Sequence, residues 1–374
     1  MPDQSLIRQQ VPLAPFTTLQ IGGAARFFAE ARGEEQLPEA LRFAEERRLP
    51  VFILGGGSNL LVADEGFPGL VVRVAIKGVA WRDEGDVVIV TAGAGEDWDE
   101  LVRQCVERDL AGVENLSGIP GWAGGTPVQN VGAYGQEVSE TIVSVRAFDR
   151  REKRIVELSN AECQFTYRTS IFNTTARDRY VVLAVTYALK PQGEPAIRYP
   201  DVKNFFSNVS TKPTLGEVRE AVMTIRARKA MVIVPDDPDC RSAGSFFKNP
   251  VIARSEFARL EESARAQGLL RDGERAPNFE AGEERVKVPA AWLIERAGFQ
   301  KGHSKGRAGI SSKHTLAIVN RGGATAREVV DLVREIQGRV MEAFGVALAP
   351  EPVFVGFNSF SQLPELIVDA PRCA

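Results

Sequence analysis

Residues 118–135 combine many glycines with no charged side chain, in the order Gly-Ile-Pro-Gly-Trp-Ala-Gly-Gly-Thr-Pro-Val-Gln-Asn-Val-Gly-Ala-Tyr-Gly. Glycine leaves a ligand room to reach the main chain, and Pro120 and Pro127 restrict the path of the backbone. The run therefore offers backbone N–H groups to a ligand, and a negatively charged cofactor suits them. The residues predicted to contact it are Gly118, Ile119, Pro120, Gly121, Gly124, Gly125, Gln129, Asn130, Gly132, Ala133 and Tyr134.

A second glycine run, at 54–60, follows the apolar residues 51–53 as a strand-to-loop junction would. Its predicted cofactor contacts are Gly55, Gly56, Gly57, Ser58, Asn59 and Leu60. One diphosphate-containing molecule could span both runs, whereas the alternative is that each run only builds tight turns. Neither run carries a phosphate-loop Lys-Ser/Thr pair or a strand-anchored G-x-G-x-x-G, which disfavours ATP hydrolysis and a Rossmann dinucleotide site.

The composition is that of an ordinary globular protein. The chain has 374 residues, with 44% hydrophobic and 25% charged residues, which allows roughly two or three domains with buried cores. A net charge of −3 gives no general attraction to nucleic acid or to an anionic membrane. Because residues 1–10 are polar and no apolar run is long enough to span a bilayer, a soluble cytoplasmic protein is expected.

The cysteines and histidines do not indicate a metal site or a disulfide framework. They are scattered without C-x-x-C spacing, at Cys105, Cys163, Cys240, Cys373, His303 and His314. We therefore predict no metal and interpret each cysteine as a small residue without chemistry.

Hydrophobic periodicity indicates a mixed α+β chain. Strands are predicted at 51–54, 70–74, 87–91, 142–148, 180–189, 316–319 and 353–357. Helices are predicted around 37–44, 97–108, 254–266 and 289–296, and after the capping boxes 214–217 and 325–328. Residues 191–200 are predicted to form a loop. The proline- and aspartate-rich stretch 235–239 indicates a crossing between domains, and the tail 358–374 is predicted to be poorly structured.

Four segments carry polar residues that surface solvation explains poorly. They are Tyr-Arg-Thr-Ser-Ile-Phe at 167–172, Ala-Gly-Ser-Phe-Phe-Lys-Asn-Pro at 243–250, the loop around Tyr199, and Glu351 between two prolines. Taken singly, structural roles remain open: Arg168 could form a salt bridge, Ser245 and Asn249 could cap or turn, and Glu351 could be a solvated turn carboxylate.

Together with the glycine runs, these motifs resemble the UDP-N-acetylenolpyruvoylglucosamine reductase family. The resemblance extends from about residue 16 to Glu351, and its most specific motifs lie at 55–59, 127–135, 167–172 and 243–250. It implies an α+β fold with a two-subdomain FAD-binding region of the flavin-oxidase (PCMH/VAO-like) type and a C-terminal α+β substrate-binding domain. The implied divisions are 1–79 with 352–374, 80–235, and 236–351. The Tyr199 loop implies the subgroup that covers its substrate with such a loop.

The resemblance also implies roles for individual residues. Ser245 matches the proton donor, and Arg168 and Glu351 match the residues that polarise the carboxylate of the substrate. Tyr199, Lys229 and Asn249 match substrate-binding positions. The implied reaction uses non-covalently bound FAD and NADPH to reduce UDP-N-acetylglucosamine enolpyruvate to UDP-N-acetylmuramate, for peptidoglycan synthesis. A monomer is expected.

The implied chemistry explains these residue types. Negative charge develops next to the carboxylate when hydride is added, and Arg168 supplies a permanent forked cation, whereas Glu351 helps only in its protonated form. Ser245 protonates a strongly basic intermediate without a histidine, so a Ser-His-Asp hydrolase is disfavoured.

Two rival functions remain open from the residues alone. One is a flavin-dependent sugar or alcohol oxidase of the same architecture, and the other is a non-catalytic nucleotide-binding protein. Trp122 stands where relatives commonly carry a small residue, and packing between loops is the role expected of it.

Overall fold

The computed structural model of the chain describes residues 6–208, 211–234, 237–271 and 273–357. These residues form two compact units. Within the described ranges, unit 1 comprises residues 6–11, 25–57 and 68–232, and unit 2 comprises residues 12–24, 58–67 and 233–357.

Helices and strands alternate irregularly along the chain. The helices are α1 (Gln36–Glu46), α2 (Trp98–Glu107), α3 (Pro200–Phe205), α4 (Leu215–Arg228), α5 (Arg254–Ala266), α6 (Ala290–Arg296) and α7 (Ala326–Phe344). The strands are β1 (Ile7–Pro12), β2 (Ala24–Ala31), β3 (Val51–Leu54), β4 (Leu60–Val62), β5 (Phe67–Val74), β6 (Val79–Asp83), β7 (Val88–Gly93), β8 (Leu110–Ala111), β9 (Gly132–Ala133), β10 (Gln136–Glu137), β11 (Ile142–Asp149), β12 (Arg154–Ser159), β13 (Tyr180–Pro191), β14 (Ser242–Ser245), β15 (Val251–Ala253), β16 (Phe279–Glu280), β17 (Arg285–Lys287), β18 (Ser304–Lys305), β19 (Ala308–Ile310), β20 (Ala317–Asn320) and β21 (Val353–Val355).

Unit 1 is built on two sheets. The first has the strand order β1-β2-β5-β3, with β3 parallel to β5. The second has the order β12-β11-β13-β7-β6, and β8 pairs separately with β13. The strands of this second sheet are antiparallel. The long central strand β13 pairs with β11 on one side and with β7 on the other, and its buried valines and leucines belong to the hydrophobic core of unit 1.

Two helices of unit 1, α2 and α4, begin at side-chain caps. The Asp97 carboxylate accepts the amide of Glu100 at the start of α2, and the Thr214–Glu217 capping box opens α4. Each cap satisfies N–H groups that the first turn leaves without a partner. The apolar face of α4 then buries Val218, Ala221, Val222 and Ile225.

Unit 2 is an α+β unit with its own core. Its largest sheet has the order β14-β20-β19-β18, a second has the order β15-β17-β16, and β21 lies parallel to β4. Helix α7 packs its periodic apolar face into this core, where Val329, Val333 and Ile336 are fully buried. The Asp64 carboxylate accepts the amides of Ala326 and Arg327 at 2.8 and 3.1 Å, in addition to the Thr325–Glu328 capping box.

The elements that were predicted from the sequence are found in the structure. Each predicted strand and helix named above is present, with ends that differ by a few residues. Sequence analysis missed the short helix α3, which begins at the last residue of the predicted loop, and most of the short strands. It also missed three longer strands, β1, β2 and β12. Their apolar residues are mixed with charged ones, which hides the two-residue period. Among the described residues, no helix is both long enough and apolar enough to span a bilayer.

Two predictions lie wholly or partly outside the described residues. These are the tail 358–374 and residues 235–236 of the predicted crossing, after which Pro238–Cys240 forms a 3-10 turn. The three-domain division stays a prediction.

Replacing Ile336 with alanine should destabilise unit 2. Its side chain is fully buried in the core, so the variant loses apolar burial and leaves a cavity, at a cost of about 2–5 kcal/mol in unfolding free energy. Chemical denaturation measures this, with Glu342→Ala on the exposed face of the same helix as a control that should change stability by less than about 0.5 kcal/mol. Equal stability of the two variants would contradict the packing of α7.

Candidate active site

The two glycine runs touch each other within unit 1. A Cβ atom placed on Gly56 would lie 2.7 Å from the Cα of Gly121 and 2.9 Å from the amide nitrogen of Trp122. Gly57 and Gly121 have φ values of 69° and 123°, which glycine adopts most readily. Two backbones can pack this closely only where glycine leaves out the side chain. The glycines of the two runs therefore permit this contact.

Both runs leave backbone open to a ligand. A Cβ atom on Gly55 or Gly125 would meet no other atom within 4 Å. Gly125 ends the 3-10 turn Ala123–Gly125, whose three amides donate in turn to the carbonyls of Glu96, Ala94 and Trp122. The open space at Gly55 and Gly125 leaves room for a ligand beside the main chain.

Asn130 anchors the second run rather than offering its side chain. The Asn130 amide donates to the Glu137 carboxylate at 2.7 Å and to the Thr166 carbonyl at 3.2 Å, and its oxygen accepts the amide of Ser139 at 3.1 Å. The residue is buried and has a φ of 45°. Any contact that Asn130 makes with a cofactor therefore comes from its main chain.

Arg168 lies beside the same run. Its guanidinium Nη1 would be 3.4 Å from a Cβ atom on Gly132, and its Cζ lies 5.6 Å from the centre of the Tyr167 ring. The backbone of Arg168 has a φ of 57°, and its carbonyl accepts the side-chain amide of Asn173 at 3.1 Å. The hydroxyl of Ser170 donates to the carbonyl of Val128 at 2.6 Å. The segment is thus tied to the glycine run, which directs the arginine toward it.

Tyr134, Tyr199 and Lys229 come together in unit 1. The two tyrosine rings pack edge to face at 5.6 Å, and the Lys229 ammonium lies 5.9 Å from the Tyr134 ring. Burial raises the pKa of Tyr134, and burial together with the nearby Asp201 carboxylate raises the pKa of Tyr199. Both phenols therefore stay protonated at neutral pH and can donate hydrogen bonds.

Within unit 2, Ser245 and Glu351 lie on adjacent hydrogen-bonded segments. Ser245 ends β14 opposite Ala317, and the amide of Glu351 donates to the carbonyl of Phe246 at 2.9 Å. Phe246 and Phe247 are buried, with ring centroids 5.5 Å apart, and they fix this strand in the core. The structure therefore brings a half-buried hydroxyl and a half-buried carboxyl to the same end of the sheet.

The side chains of Asn59 and Asn249 form hydrogen bonds with the main chain of unit 2. The Asn59 side chain donates to the carbonyl of Glu351 at 3.2 Å, and its own carbonyl accepts the amide of Val353 at 2.9 Å. The Asn249 oxygen accepts the amide of Ala290 at 2.9 Å, at the first turn of α6. Asn59 thus secures the backbone of the predicted catalytic glutamate, whereas one half of the Asn249 amide group is used for helix capping.

Several known proteins resemble this chain. A family model described as "UDP-N-acetylenolpyruvoylglucosamine reductase, C-terminal domain" matches residues 236–355, and one described as "FAD binding domain" matches residues 25–159. The reductase of that name from Thermobifida fusca is 46% identical over 351 residues, which is 93% of this chain and 98% of the relative. The one from Streptomyces coelicolor is 47% identical over 92% of this chain and 89% of the relative.

This chain belongs to the UDP-N-acetylenolpyruvoylglucosamine reductase family. A solved structure of the reductase from Thermus caldophilus is similar throughout, with a TM-score of 0.63 at 27% identity, covering 93% of this chain and 99% of that chain. The resemblance predicted from the motifs, and the α+β fold class that it implied, are confirmed.

FAD is the cofactor of this reductase family member, because the FAD-binding model spans both glycine runs. The residues present fit that group. The runs meet through bare backbone at Gly56 and Gly121, and the main chain is open at Gly55 and Gly125, as a diphosphate requires. The ring of Trp122 packs under the Arg73 guanidinium at 4.3 Å, as expected for a packing role between loops.

Sequence analysis missed the buried polar groups that hold the reductase's second run. Glu114 is fully buried, and its carboxylate accepts the amides of Gly112 and Ala196 and the side chain of Gln136, each at 2.8 Å. Asn115 donates its side-chain amide to the carbonyls of Tyr134 and Ala196. These bonds join residues 134–136 to the chain that leads to Tyr199. A charged residue within the otherwise apolar stretch 110–116 was the available signal.

Asp99 holds the start of the same run. Its carboxylate accepts the amide of Gly118 at 2.6 Å and pairs with both ends of the Arg219 guanidinium at 2.6 and 2.9 Å. Burial opposes ionisation of Asp99, but the bonds from Arg219 and Gly118 outweigh it and lower its pKa from the ordinary value of 3.8. The ionised carboxylate therefore stabilises the folded loop.

The cysteines contribute no reactive group among the described residues. Cys105, Cys163 and Cys240 are buried and free, and burial raises the pKa of Cys105 and of Cys163 to about 12. Cys373 lies outside the described residues. Within the described ranges, no three His, Cys, Asp or Glu side chains are grouped so that they could hold a metal ion.

Replacing Asp99 with asparagine should lower stability in a pH-dependent way. Because the pKa of the folded carboxyl is depressed, its contribution is complete above about pH 4 and is lost as the pH falls through the folded value. We expect a loss of about 1–3 kcal/mol in unfolding free energy at pH 7. The difference from the parent protein should shrink as urea unfolding is repeated toward pH 3.

The control is Asp109→Asn, which makes the same change at an exposed position. It should leave unfolding free energy nearly unchanged at every pH. A deficit for Asp99→Asn that stays constant with pH would contradict the role assigned to the carboxylate charge.

Proposed function

We propose that this chain reduces UDP-N-acetylglucosamine enolpyruvate to UDP-N-acetylmuramate with NADPH, and that Arg168, Ser245 and Glu351 carry the chemistry. Membership of the family makes the chain an FAD-dependent oxidoreductase of peptidoglycan precursor synthesis. The observation that carries the catalytic assignment is the hydrogen bond from the Glu351 amide to Phe246, the residue after Ser245. It supports a pairing of a hydroxyl and a carboxyl group at one end of a sheet.

The chemistry that FAD supplies when bound is transfer of a hydride, received from NADPH, to the enolpyruvyl double bond. The glycine runs would hold its diphosphate through main-chain N–H groups, with Gly55–Leu60 and Gly118–Tyr134 as the contacting segments. Arg168 stabilises the negative charge that spreads into the carboxylate of the substrate, because its planar guanidinium is always charged and matches two carboxylate oxygens. Its position at Gly132 supports this role.

Ser245 donates the proton that completes the reduction. A hydroxyl is a weak acid, but the carbon that it protonates is a far stronger base, so the transfer is downhill when the resulting oxyanion is stabilised. No hydrogen bond joins the Ser245 side chain to another described residue, and this supports a hydroxyl that is available to substrate. Gly244 precedes it with a φ of 72° and no atom within 4 Å of an added Cβ, which leaves the approach open.

Glu351 is proposed to polarise the carboxylate of the substrate. Its backbone is held from two sides, by Phe246 and by the Asn59 side chain, and it lies between Pro350 and Pro352. Such a residue loses little further freedom when the substrate binds, which favours preorganised stabilisation of charge.

Tyr199, Lys229 and Asn249 are proposed to bind the nucleotide sugar. The packing of Tyr199 on Tyr134 and the cationic Lys229 beside them support a site for an anionic, partly aromatic ligand. We also propose the division into 1–79 with 352–374, 80–235 and 236–351, membership of the subgroup with a tyrosine-bearing substrate loop, and a cytoplasmic monomer without nucleic-acid or membrane partners. The net charge of −3 supports the last point.

An anaerobic titration tests cofactor, donor and acceptor in one experiment. Adding NADPH to the purified yellow protein should bleach the flavin absorbance near 450 nm, about one equivalent per flavin, and adding the enolpyruvyl nucleotide sugar should restore it. A flavin oxidase would stay bleached until oxygen enters. A non-catalytic nucleotide-binding protein would show no change with NADPH.

Replacing Ser245 with alanine should separate the two half-reactions. The variant should keep its flavin and be bleached by NADPH at the parent rate, whereas reoxidation by the nucleotide sugar should slow by about 10²–10⁴-fold because the proton donor is lost. Stopped-flow absorbance measures both steps. Ser304→Ala, on an exposed strand of the same sheet, should react like the parent protein. Unimpaired reoxidation of the Ser245 variant would remove this residue from the mechanism.

A further inference from the structure

Lys229 is already paired with a carboxylate. Its ammonium lies 2.6 Å from Oδ2 of Asp201, and each side chain is about one-third exposed. Asp201 belongs to the first turn of α3, two residues after Tyr199, whereas Lys229 follows the last residue of α4. The pair therefore joins the helix that carries the tyrosine to the lysine predicted to bind substrate.

The position of α3 does not depend on this pair. Val202 is completely buried against Val218 and Val222 of α4, and the Tyr199 ring packs on Tyr134. The amide of Lys203 also donates to the carbonyl of Tyr199 at 3.0 Å. Since apolar packing and backbone bonds hold the helix, the main consequence of Asp201 is electrostatic.

We propose that Asp201 is an internal counter-ion that competes with the diphosphate of the nucleotide sugar for Lys229, and so sets the affinity of the enzyme for its anionic substrate and product. The proposal rests on the substrate-binding role given to Lys229 under the proposed function. It makes Asp201 an affinity-determining residue of the reductase, through its charge and not through the position of α3.

Charge arithmetic supports this role. Without Asp201, the Lys229 ammonium presents an uncompensated positive charge beside the two tyrosines, whereas the Lys229–Asp201 pair has no net charge and an incoming diphosphate meets a carboxylate. At partly exposed sites such an interaction changes binding by a modest factor and is screened by salt. The substrate and the product carry the same diphosphate, so Asp201 weakens the binding of both. Weaker binding of the product favours its release.

The test is the binding of UDP to the oxidised FAD-bound enzyme, measured by calorimetry at low and high salt. The substitution Asp201→Asn keeps the shape of the side chain and removes its charge. It should lower the Kd for UDP by roughly two- to fivefold at low salt, with the gain shrinking as salt increases. The steady-state KM for the nucleotide sugar should fall in the same proportion. Near-ultraviolet circular dichroism and flavin content report whether the variant keeps its fold.

A matched control and a double mutant complete the design. Glu194→Gln neutralises one partner of another exposed ion pair, Lys212–Glu194, and should leave the Kd for UDP unchanged. Lys229→Met should weaken UDP binding, and adding Asp201→Asn to it should give no further gain, because the two effects act through one interaction.

The outcomes are distinguishable. If Lys229→Met leaves UDP binding unchanged, the proposed function has misassigned Lys229 and the counter-ion proposal falls with it. If Lys229→Met weakens binding but Asp201→Asn does not change or raises the Kd, the substrate site stands and the counter-ion proposal is overturned. A gain that persists in the Lys229→Met background would also overturn it, because the charge of Asp201 would then act without the lysine.

Discussion

The close approach of bare backbone at Gly56 and Gly121 is the constraint on which the FAD-binding part of the structure depends. A Cβ atom at Gly56 would lie 2.7 Å from the Cα of Gly121 in the other run, which is too close for any side chain. Two loops distant in sequence can meet this closely because both carry glycine at the contact, and open space remains beside the main chain at Gly55 and Gly125. Main-chain N–H groups can bind a diphosphate without a lysine- or arginine-rich motif.

Polar side chains add to the backbone hydrogen bonds that hold this arrangement. Asp99 secures the start of the second run, Asn130 its middle, and Glu114 with Gln136 its end. Each side chain satisfies several main-chain or side-chain partners at once, so each is costly to replace. The same network reaches Ala196, and in this way the support of the cofactor loop continues into the chain that carries Tyr199.

The proposed catalytic groups of the two units differ in their charge. Unit 1 contributes the permanent cation of Arg168, tied to the glycine run through Ser170 and Asn130, and unit 2 contributes the neutral hydroxyl of Ser245 with the carboxyl of Glu351. The cation lies beside the second glycine run, whereas Ser245 ends a strand that is followed by two buried phenylalanines. Lys229, which is proposed to bind substrate, is a cation that already forms an ion pair with a carboxylate of its own unit.

Local rules in the sequence determined six of the helices, the longer apolar strands, two of the capping boxes, the glycine runs and the family. These features depend on residue periodicity and on short motifs that survive without tertiary context. The residues of the candidate site could be named from those motifs. Their partners could not, since Asp99–Gly118, Glu114–Ala196, Asn59–Glu351 and Asp201–Lys229 join positions between 19 and 292 residues apart. Hydrogen bonds and ion pairs of this kind depend on distance in space, and only the tertiary structure brings such residues within reach of each other.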